Sequence, residues 1–417
     1  MIAFHFPPFQ GSSGVLRTWS FSRTLPEFGW NPLVLTASEG AYGAIQSPAA
    51  GGLEIPPGLP IWRASALDSS RQLSIGGRYP HILALPDRWA SWFVPAVTRA
   101  LLIIRRYKPK VIWSTYPIAS AHLVAIAVRR LSGLPWIADF RDSMTEENYP
   151  SHPLDRRVYR WIERKTMQRA TKVVFTTPGT ATMYAERYPE IATARRVVIP
   201  NGYDEESFKS AERYAPPRRL PSGTQPLVLV HSGILYPSER DPRPFLDAIA
   251  KLVENRQISA DSLQIVFRAS GHEQTIAALI ESRKVGGIVT LAKPIPYQQA
   301  LAEMMAADGL LLFQAANCNH QIPAKLYEYL RAGRPIFALT DSAGDTAATL
   351  READAGTVAD LASAAEITAK FPLYLAGLRS IVPAVDAAVV AQRFSRAAQA
   401  RRLATLFDET ASADRQI

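Results

Sequence analysis

The chain has 417 residues, of which 47% are apolar and 20% are charged; 47 Lys and Arg against 37 Asp and Glu give a net charge of +10. This length predicts two or three domains of ordinary globular composition, and it excludes a wholly disordered, collagen-like or coiled-coil chain. The single cysteine, Cys318, cannot form an intramolecular disulfide. A cytoplasmic protein fits this cysteine content best. From the apolar pattern of the sequence we also expect neither a signal peptide nor a segment long enough to span a membrane.

Positive charge of this size fits three kinds of anionic partner, namely nucleic acid, anionic lipid and a phosphorylated small molecule. The basic residues occur as scattered pairs, such as Arg105-Arg106 and Arg401-Arg402, and not as one block. Neither a zinc-ligand spacing nor an RNA-binding aromatic motif accompanies them. We expect no nucleic-acid partner.

Short apolar segments alternate with amphipathic segments of helical length in the first half of the chain. The predicted strands are Ile2–Phe6, Pro32–Thr36, Val111–Ser114, Trp136–Asp139, Val173–Thr176 and Val197–Ile199. The predicted helices between them include Val15–Phe28, Trp89–Tyr107, Ile118–Leu131 and Leu154–Arg169. This alternation predicts parallel sheets covered by helices on both faces.

A Pro- and Arg-rich segment, 214–226, interrupts the alternation and is typical of a linker. The alternation then resumes, with predicted strands at Leu227–His231, Leu263–Phe267, Ile288–Leu291, Gly309–Phe313 and Ile336–Leu339. A final Ala- and Arg-rich helix is predicted from Asp386 to Phe407. The sequence thus predicts an N-terminal domain over 1–213, a C-terminal domain over 227–385 and a C-terminal helix within 386–417 that crosses back to the first domain. The predicted fold class is α/β, with two doubly wound Rossmann-like domains facing across a cleft. Ligands of open α/β sheets bind at the carboxyl ends of the strands, so we expect the site there.

The loop after the first predicted strand contains Gly11, Ser13 and Gly14. Its glycines let the backbone approach a ligand closely, and the helix that follows offers an N-terminus to an anion or a sugar. A serine that only caps the helix is the alternative. The spacing is neither the dinucleotide-binding nor the Walker pattern.

Asp139 ends a predicted strand, and Arg141 and Asp142 follow it. Asp142 can accept a proton or orient a sugar hydroxyl, and Arg141 can bind a phosphate. These two residues are the candidate catalytic pair. The alternative is a surface ion pair between Asp139 and Arg141.

Lys325 and Glu328 lie one turn apart in a predicted helix that begins after Pro323 and ends at Gly333. A lysine facing a diphosphate and a glutamate accepting hydrogen bonds from the two hydroxyls of a ribose would together bind a nucleotide. By themselves the two residues are better explained as a simple surface ion pair.

Five motifs together resemble one known family. They are Phe6-Pro7-Pro8 with the Gly11–Gly14 loop and Arg17, Ala138–Asp142, Ile199–Asp204, His231–Tyr236 with Arg240-Asp241-Pro242, and Pro323–Pro335. The chain resembles the GT-B-fold glycosyltransferases of retaining family 4, in the branch of bacterial surface and exopolysaccharide assembly. This resemblance implies that the Gly11–Gly14 loop faces the donor phosphates and the acceptor.

The resemblance also implies roles for residues of the second domain. Gly233 and Arg240 would lie under the donor diphosphate, Lys325 and Leu326 would flank the phosphate and nucleoside, and Glu328 would bind the ribose. Gly271 and His272, in a strand-to-helix turn, are further candidates for donor contact. The family often has a second Glu eight positions before the residue that matches Glu328, where this chain has His320; it also has Ile234 where a phosphate-binding Arg is expected. His320 either contacts the sugar or stabilises its loop.

The function implied is that of a hexosyltransferase-like enzyme that moves a sugar from a nucleotide-sugar donor to a polysaccharide or lipid-linked glycan. No Asp-x-Asp motif follows a predicted strand, and we expect neither a metal nor another cofactor. A nucleotide-sugar epimerase of the same fold and a non-catalytic nucleotide-sugar-binding protein are the alternatives.

Trp89, Trp92 and Phe93 precede a helix with a basic end, a pattern that predicts peripheral contact with the inner face of the membrane. The alternative is that this segment packs on the sheet. The remaining histidines, including His81 and His152, have no sequence neighbours that suggest a set of metal ligands.

Overall fold

The computed structural model describes residues 1–9, 13–43, 53–215, 225–379 and 387–413, and the chain divides into two compact units. Unit 1 comprises Met1–Pro200 and Arg396–Ile417, and unit 2 comprises Asn201–Ser395. Within the described residues no helix is both long enough and apolar enough to cross a membrane.

The sheet of unit 1 is parallel. Its strands are β1 (Val34–Ala37), β2 (Ile61–Ala64), β3 (Ile112–Thr115), β4 (Trp136–Phe140), β5 (Lys172–Phe175) and β6 (Arg196–Val198). The predicted first strand, Ile2–Phe6, is reduced to a bridge in which Ile2 pairs with both Leu35 and Ser114 and so joins the β2–β1 pair to the β3–β4–β5–β6 ladder. The pairing ends before Pro7 and Pro8, which have no N–H to donate to a ladder.

The sheet of unit 2 is also parallel, in the order β12–β11–β10–β7–β8–β9. Its strands are β7 (Leu227–Ser232), β8 (Leu263–Arg268), β9 (Val289–Ala292), β10 (Gly309–Phe313), β11 (Ile336–Leu339) and β12 (Gly356–Ala359). The strand order reverses between β7 and β10. This reversal is the switch point at which doubly wound sheets bind ligands, beyond the carboxyl ends of the strands.

Helices connect the strands in both units. Unit 1 contains α1 (Ser13–Thr24), α2 (Ser69–Gln72), α3 (Phe93–Tyr107), α4 (Ala119–Ser132), α5 (Pro153–Arg169) and α6 (Pro178–Arg187). Unit 2 contains α7 (Glu205–Glu212), α8 (Arg243–Glu254), α9 (Glu273–Ser282), α10 (Tyr297–Ala306), α11 (Ala324–Ala332), α12 (Asp345–Glu352), α13 (Ala364–Leu378) and α14 (Ala387–Phe394). A last helix, α15 (Arg396–Ala413), belongs to unit 1.

Each sheet is covered on both faces. Successive residues of a strand point to opposite faces, and in β4 Trp136 and Ala138 belong to one apolar cluster while Ile137 belongs to another. In β10 of unit 2, Leu311 and Leu310 divide in the same way. Strands β4 and β10 therefore place apolar residues on both faces of their sheets, as parallel sheets covered on both sides require.

The unit boundary lies at Pro200 and Asn201, whereas the sequence analysis places the domain boundary at 213. The intervening residues pack within unit 2, because Tyr203 and Phe208 are buried in the apolar cluster that contains residues of α10 and α11. Arg331 reinforces this packing through ion pairs with Glu205 and Glu212.

The predicted single C-terminal helix is wrong: α14 and α15 are separate helices, interrupted at Ser395. The backbone carbonyl of Phe394 accepts a hydrogen bond from the N–H of Tyr203, and Ser395 forms a bridge with the same residue. In unit 1, α15 packs its Leu403 and Phe407 with apolar residues of α1 and the sheet.

The prediction that Trp89, Trp92 and Phe93 contact a membrane is not supported by the structure. Trp89 and Trp92 are buried in the core of unit 1, with ring centroids 4.7 and 5.2 Å from that of Phe4. Phe93 is partly buried against the same core. The alternative, packing of this segment on the sheet, is the observed arrangement.

Candidate functional site

The loop after β7 lies at the switch point of unit 2. Gly233, the first residue beyond β7, has φ +112°, in the region that favours glycine. A Cβ built on Gly233 would lie only 2.9 Å from Nζ of Lys325, so the lysine ammonium rests directly against this glycine. Two predicted site residues are thus brought together by elements that are far apart in sequence.

Lys325 comes from the first turn of α11, and its Nζ lies 3.3 Å from Nε2 of His231. Nδ1 of buried His231 is 2.8 Å from the carbonyl oxygen of Leu311. Because a carbonyl only accepts, Nδ1 carries the proton and Nε2 offers its lone pair to Lys325. Burial, and then the charge of Lys325, hold the pKa of His231 well below its usual range, so this histidine is neutral.

Burial also lowers the pKa of Lys325, to about 7, with a further decrease from the neighbouring charge of Arg240 and an opposing increase from Glu328. Arg240 donates from Nη1 to the carbonyl of Ile234 at 3.0 Å, and its guanidinium lies over the ring of Tyr236. A desolvated ammonium next to a guanidinium is an environment that an anion would stabilise. The switch point of unit 2 therefore has the electrostatics of a phosphate site.

Glu328 lies one turn after Lys325 and accepts a hydrogen bond from the hydroxyl of Tyr297 at 2.7 Å. Tyr297 begins α10, and no sequence pattern indicates its contact with Glu328. The prediction for Leu326 is wrong for its side chain, which is fully buried in the core of unit 2. Helical periodicity explains the difference: Lys325 and Glu328 share one face of α11, while Leu326 faces the sheet.

Gly271 and His272 lie in the turn between β8 and α9, next to the loop after β7. The N–H of Leu235 donates to the carbonyl of Ser270, and a Cβ on Gly271 would lie 3.2 Å from Cγ2 of Ile234. His272 is exposed and has φ +46° at the start of α9. These two predicted donor residues thus lie beside the loop that contains Gly233.

His320 lies in the loop between β10 and α11, partly buried, with its Nε2 3.4 Å from Nε2 of Gln321. Gln314, at the end of β10, closes this loop by donating to the carbonyls of Cys318 and Gln321. Of the glycine-rich loop in unit 1, Gly11 lies outside the described residues. The backbones of Ser13 and Gly14 form the first turn of α1.

In unit 1, Arg141 and Asp142 follow β4 and pair with each other. Nε and Nη2 of Arg141 lie 3.0 and 2.5 Å from Oδ2 of Asp142, and the Asp142 side chain is 51% exposed. The Arg141 side chain is only 10% exposed, and its Nη1 has no hydrogen-bond partner within the described residues. Burial, followed by the charges of Arg141 and Arg88, lowers the pKa of nearby His5 to about 4. Among the described residues, this edge of the sheet thus offers a buried donor without a partner beside a solvent-accessible carboxylate.

Asp139 has a structural role and is paired with Arg17, not with Arg141 as in the alternative of a surface ion pair. It is fully buried and bonded to Arg17, with Nη2 of Arg17 2.8 Å from its Oδ1 and Nε 3.1 Å from its Oδ2. Thr115 donates to the same carboxylate, and Arg17 also donates to the carbonyls of Ile199 and Pro200. The ion pair therefore joins α1, β3, β4 and the end of the segment that follows β6.

Residues 13–202 match the sequence model described as "Glycosyl transferase 4-like domain". A search of curated proteins found no match.

Several solved structures are similar over nearly the whole chain. They include a glycosyltransferase from Rickettsia africae (TM-score 0.64, 14% identity, 98% of this chain and 97% of that one) and Anabaena HepE in complex with UDP (TM-score 0.64, 14% identity, 98% and 99%). HepE is also known in complex with UDP-glucose. A third is WaaG, a glycosyltransferase involved in lipopolysaccharide biosynthesis (TM-score 0.57, 17% identity, 99% and 98%). The chain therefore has the GT-B fold of these glycosyltransferases.

Proposed function

We propose that this chain is a glycosyltransferase that moves a sugar from a nucleotide-sugar donor to a glycan or lipid-linked acceptor. The observation on which this rests is the desolvated ammonium of Lys325 against Gly233 and beside Arg240, at the switch point of unit 2. The glycosyl transferase 4-like match, and the UDP and UDP-glucose complexes of HepE, support the same substrate class. The family likeness favours retention of anomeric configuration and a role in surface-polysaccharide assembly.

In this reaction the bond between the anomeric carbon and the diphosphate oxygen breaks, and a bond from an acceptor hydroxyl oxygen to that carbon forms. Negative charge develops on the departing nucleoside diphosphate, and the acceptor hydroxyl loses its proton. Fixed cations stabilise such a leaving group without reorganising. We assign this task to Lys325 and Arg240, with no requirement for a metal at the diphosphate.

For the acceptor we propose Arg141 and Asp142 of unit 1. The unpaired, buried Nη1 of Arg141 can donate to an acceptor oxygen, and the exposed carboxylate of Asp142 can orient the attacking hydroxyl or take its proton. Both residues follow the carboxyl end of β4, where ligands of parallel sheets bind.

The proposal is tested by incubating the protein with UDP-, GDP- and dTDP-sugars without an acceptor. A transferase should hydrolyse its own donor slowly, releasing free sugar and nucleoside diphosphate. Conversion of the donor into an epimeric nucleotide-sugar would instead identify an epimerase. If the protein binds a nucleotide-sugar but converts it neither without an acceptor nor with glycan acceptors, the proposal that it is an enzyme is refuted.

Glu328→Ala should weaken nucleotide binding by about 1.5–3 kcal/mol, because a ribose would lose a charged hydrogen-bond acceptor. Isothermal titration calorimetry with the nucleotide-sugar that the incubation test identifies as the donor measures this loss. Tyr297→Phe is the matched control: it removes the hydroxyl that holds Glu328 but keeps the carboxylate, so a smaller loss is expected. Unchanged affinity in Glu328→Ala would contradict the ribose role.

Asp142→Asn should lower kcat by about 100-fold while donor affinity changes little, because the amide can neither take a proton nor bind a hydroxyl as strongly. Steady-state transfer assays and donor titration separate the two quantities. Glu147→Gln, an exposed carboxylate in the same loop, is expected to keep its activity. A fully active Asp142→Asn would remove this residue from the mechanism.

A further inference from the structure

Two histidines and an aspartate that have no role in the reaction proposed above come together in unit 1. One ring nitrogen each of His81 and His152 and one carboxylate oxygen of Asp155 all lie within 4.8 Å of one another. His81 comes from a short 3-10 helix, His81–Ala84, whereas His152 and Asp155 belong to the start of α5. The cluster is therefore produced by tertiary structure, and it joins two separate segments.

We propose that His81, His152 and Asp155 form a binding site for a divalent transition-metal cation such as Zn²⁺. Two imidazoles and one carboxylate are a ligand set that suits zinc, with a fourth position left for water. Ligand atoms about 2.0–2.2 Å from a tetrahedral zinc lie about 3.3 Å from one another. Nε2 of His81 and Nδ1 of His152 lie 2.9 and 3.9 Å from Oδ1 of Asp155, on either side of that value.

The orientation of these groups supports a shared cation. Oδ1 of Asp155 is buried and has no hydrogen-bond partner within the described residues, although Nε2 of His81 is only 2.9 Å away. A nitrogen and an oxygen this close without hydrogen-bond geometry are arranged as two ligands of one ion would be. The half-exposed ring of His81 leaves the site accessible from solvent.

His152 has a competing role, because its Nδ1 accepts the N–H of Leu154 and so caps α5. That contact is long, at 3.3 Å, and a metal ion would compete with it for the same lone pair. Bound metal would tie the segment of His81, which includes the exposed side chains of Ile75 and Ile82, to the start of α5. The site lies outside the diphosphate chemistry proposed above and does not depend on it.

The test uses the full chain, stripped with a chelator and titrated with Zn²⁺ by calorimetry. We expect one Zn²⁺ to bind per chain, to raise the Tm and to protect residues 75–84 from hydrogen exchange. Co²⁺ bound in place of Zn²⁺ should give visible absorption bands typical of tetrahedral coordination. His81→Ala and Asp155→Asn should each weaken Zn²⁺ binding by about tenfold or more.

Two variants keep the result interpretable. His152→Asn retains a residue that caps helices well but removes the imidazole, and it should lose Zn²⁺ affinity while keeping the Tm of the stripped protein. His272→Ala removes an exposed histidine of unit 2 and should bind Zn²⁺ like the wild type. No Zn²⁺ binding by the stripped wild type, or equal affinity in the His81, His152 and Asp155 variants, would overturn the proposal.

Discussion

Donor affinity should be constant below about pH 7 and fall by up to about tenfold for each pH unit above it, because Lys325 must then take up a proton to bind the diphosphate. Burial and Arg240 lower the pKa of this lysine to about 7 in the free protein. A bound diphosphate favours the charged ammonium and so raises that pKa. Calorimetry in buffers of different ionisation enthalpy should therefore detect proton uptake above pH 7.

Two substitutions separate the charge of Lys325 from its titration. Lys325→Met keeps an unbranched side chain of similar length without charge and should abolish measurable donor binding. Lys325→Arg keeps a charge that does not titrate in this range, so its affinity, although altered by the larger head group, should not change with pH. A pH-dependent Lys325→Arg, or a Lys325→Met that binds the donor normally, would contradict the phosphate role.

Asp139→Ala should lower the stability of unit 1 by about 3–5 kcal/mol, because it leaves the guanidinium of Arg17 buried without its carboxylate. All eight tryptophans of the chain lie between Trp19 and Trp161, so tryptophan fluorescence during urea denaturation reports on unit 1 alone. The unfolding transition should move to a clearly lower urea concentration.

The double variant Arg17→Met, Asp139→Leu is the matched control. It replaces both charges by apolar side chains, which fill the space without leaving an unpaired charge, and it should recover most of the stability lost in Asp139→Ala. If Asp139→Ala unfolded at the wild-type urea concentration, the ion pair would not have the structural importance inferred here.

The strands predicted in the second half of the chain coincide with β7 to β11, because each is an apolar segment of strand length between polar turns. Strands β2 and β12 were not predicted. Strand β2 (Ile61–Ala64) contains Arg63 and is only partly buried. Strand β12 begins with Gly356 and lies at the edge of the sheet of unit 2. Edge strands have one unpaired side and need less apolar character, so their sequences resemble loops.

Among the candidate site residues, the sequence indicated Lys325, Glu328 and Gly233 but not the partners that give them their properties. His231 lies near the end of an apolar strand, and its Nε2 contact with Lys325 depends on the pairing of β7 with β10. Asp139 and Asp142 are three positions apart and alike in sequence, yet one is fully buried and the other half exposed. The buried carboxylate is bonded to Arg17 and Thr115, which are both distant in sequence.

The sequence by itself determined the α/β class and the residues of one helix face, because periodicity and turn residues are local properties of the chain. The tertiary structure decided which loops meet at the switch point, where each unit ends, and which charges are buried in pairs. It also brought His81 to His152 and Asp155, which no local pattern indicates. These outcomes depend on contacts between distant segments, whose burial sets both the pKa of Lys325 and the need of Arg17 for Asp139.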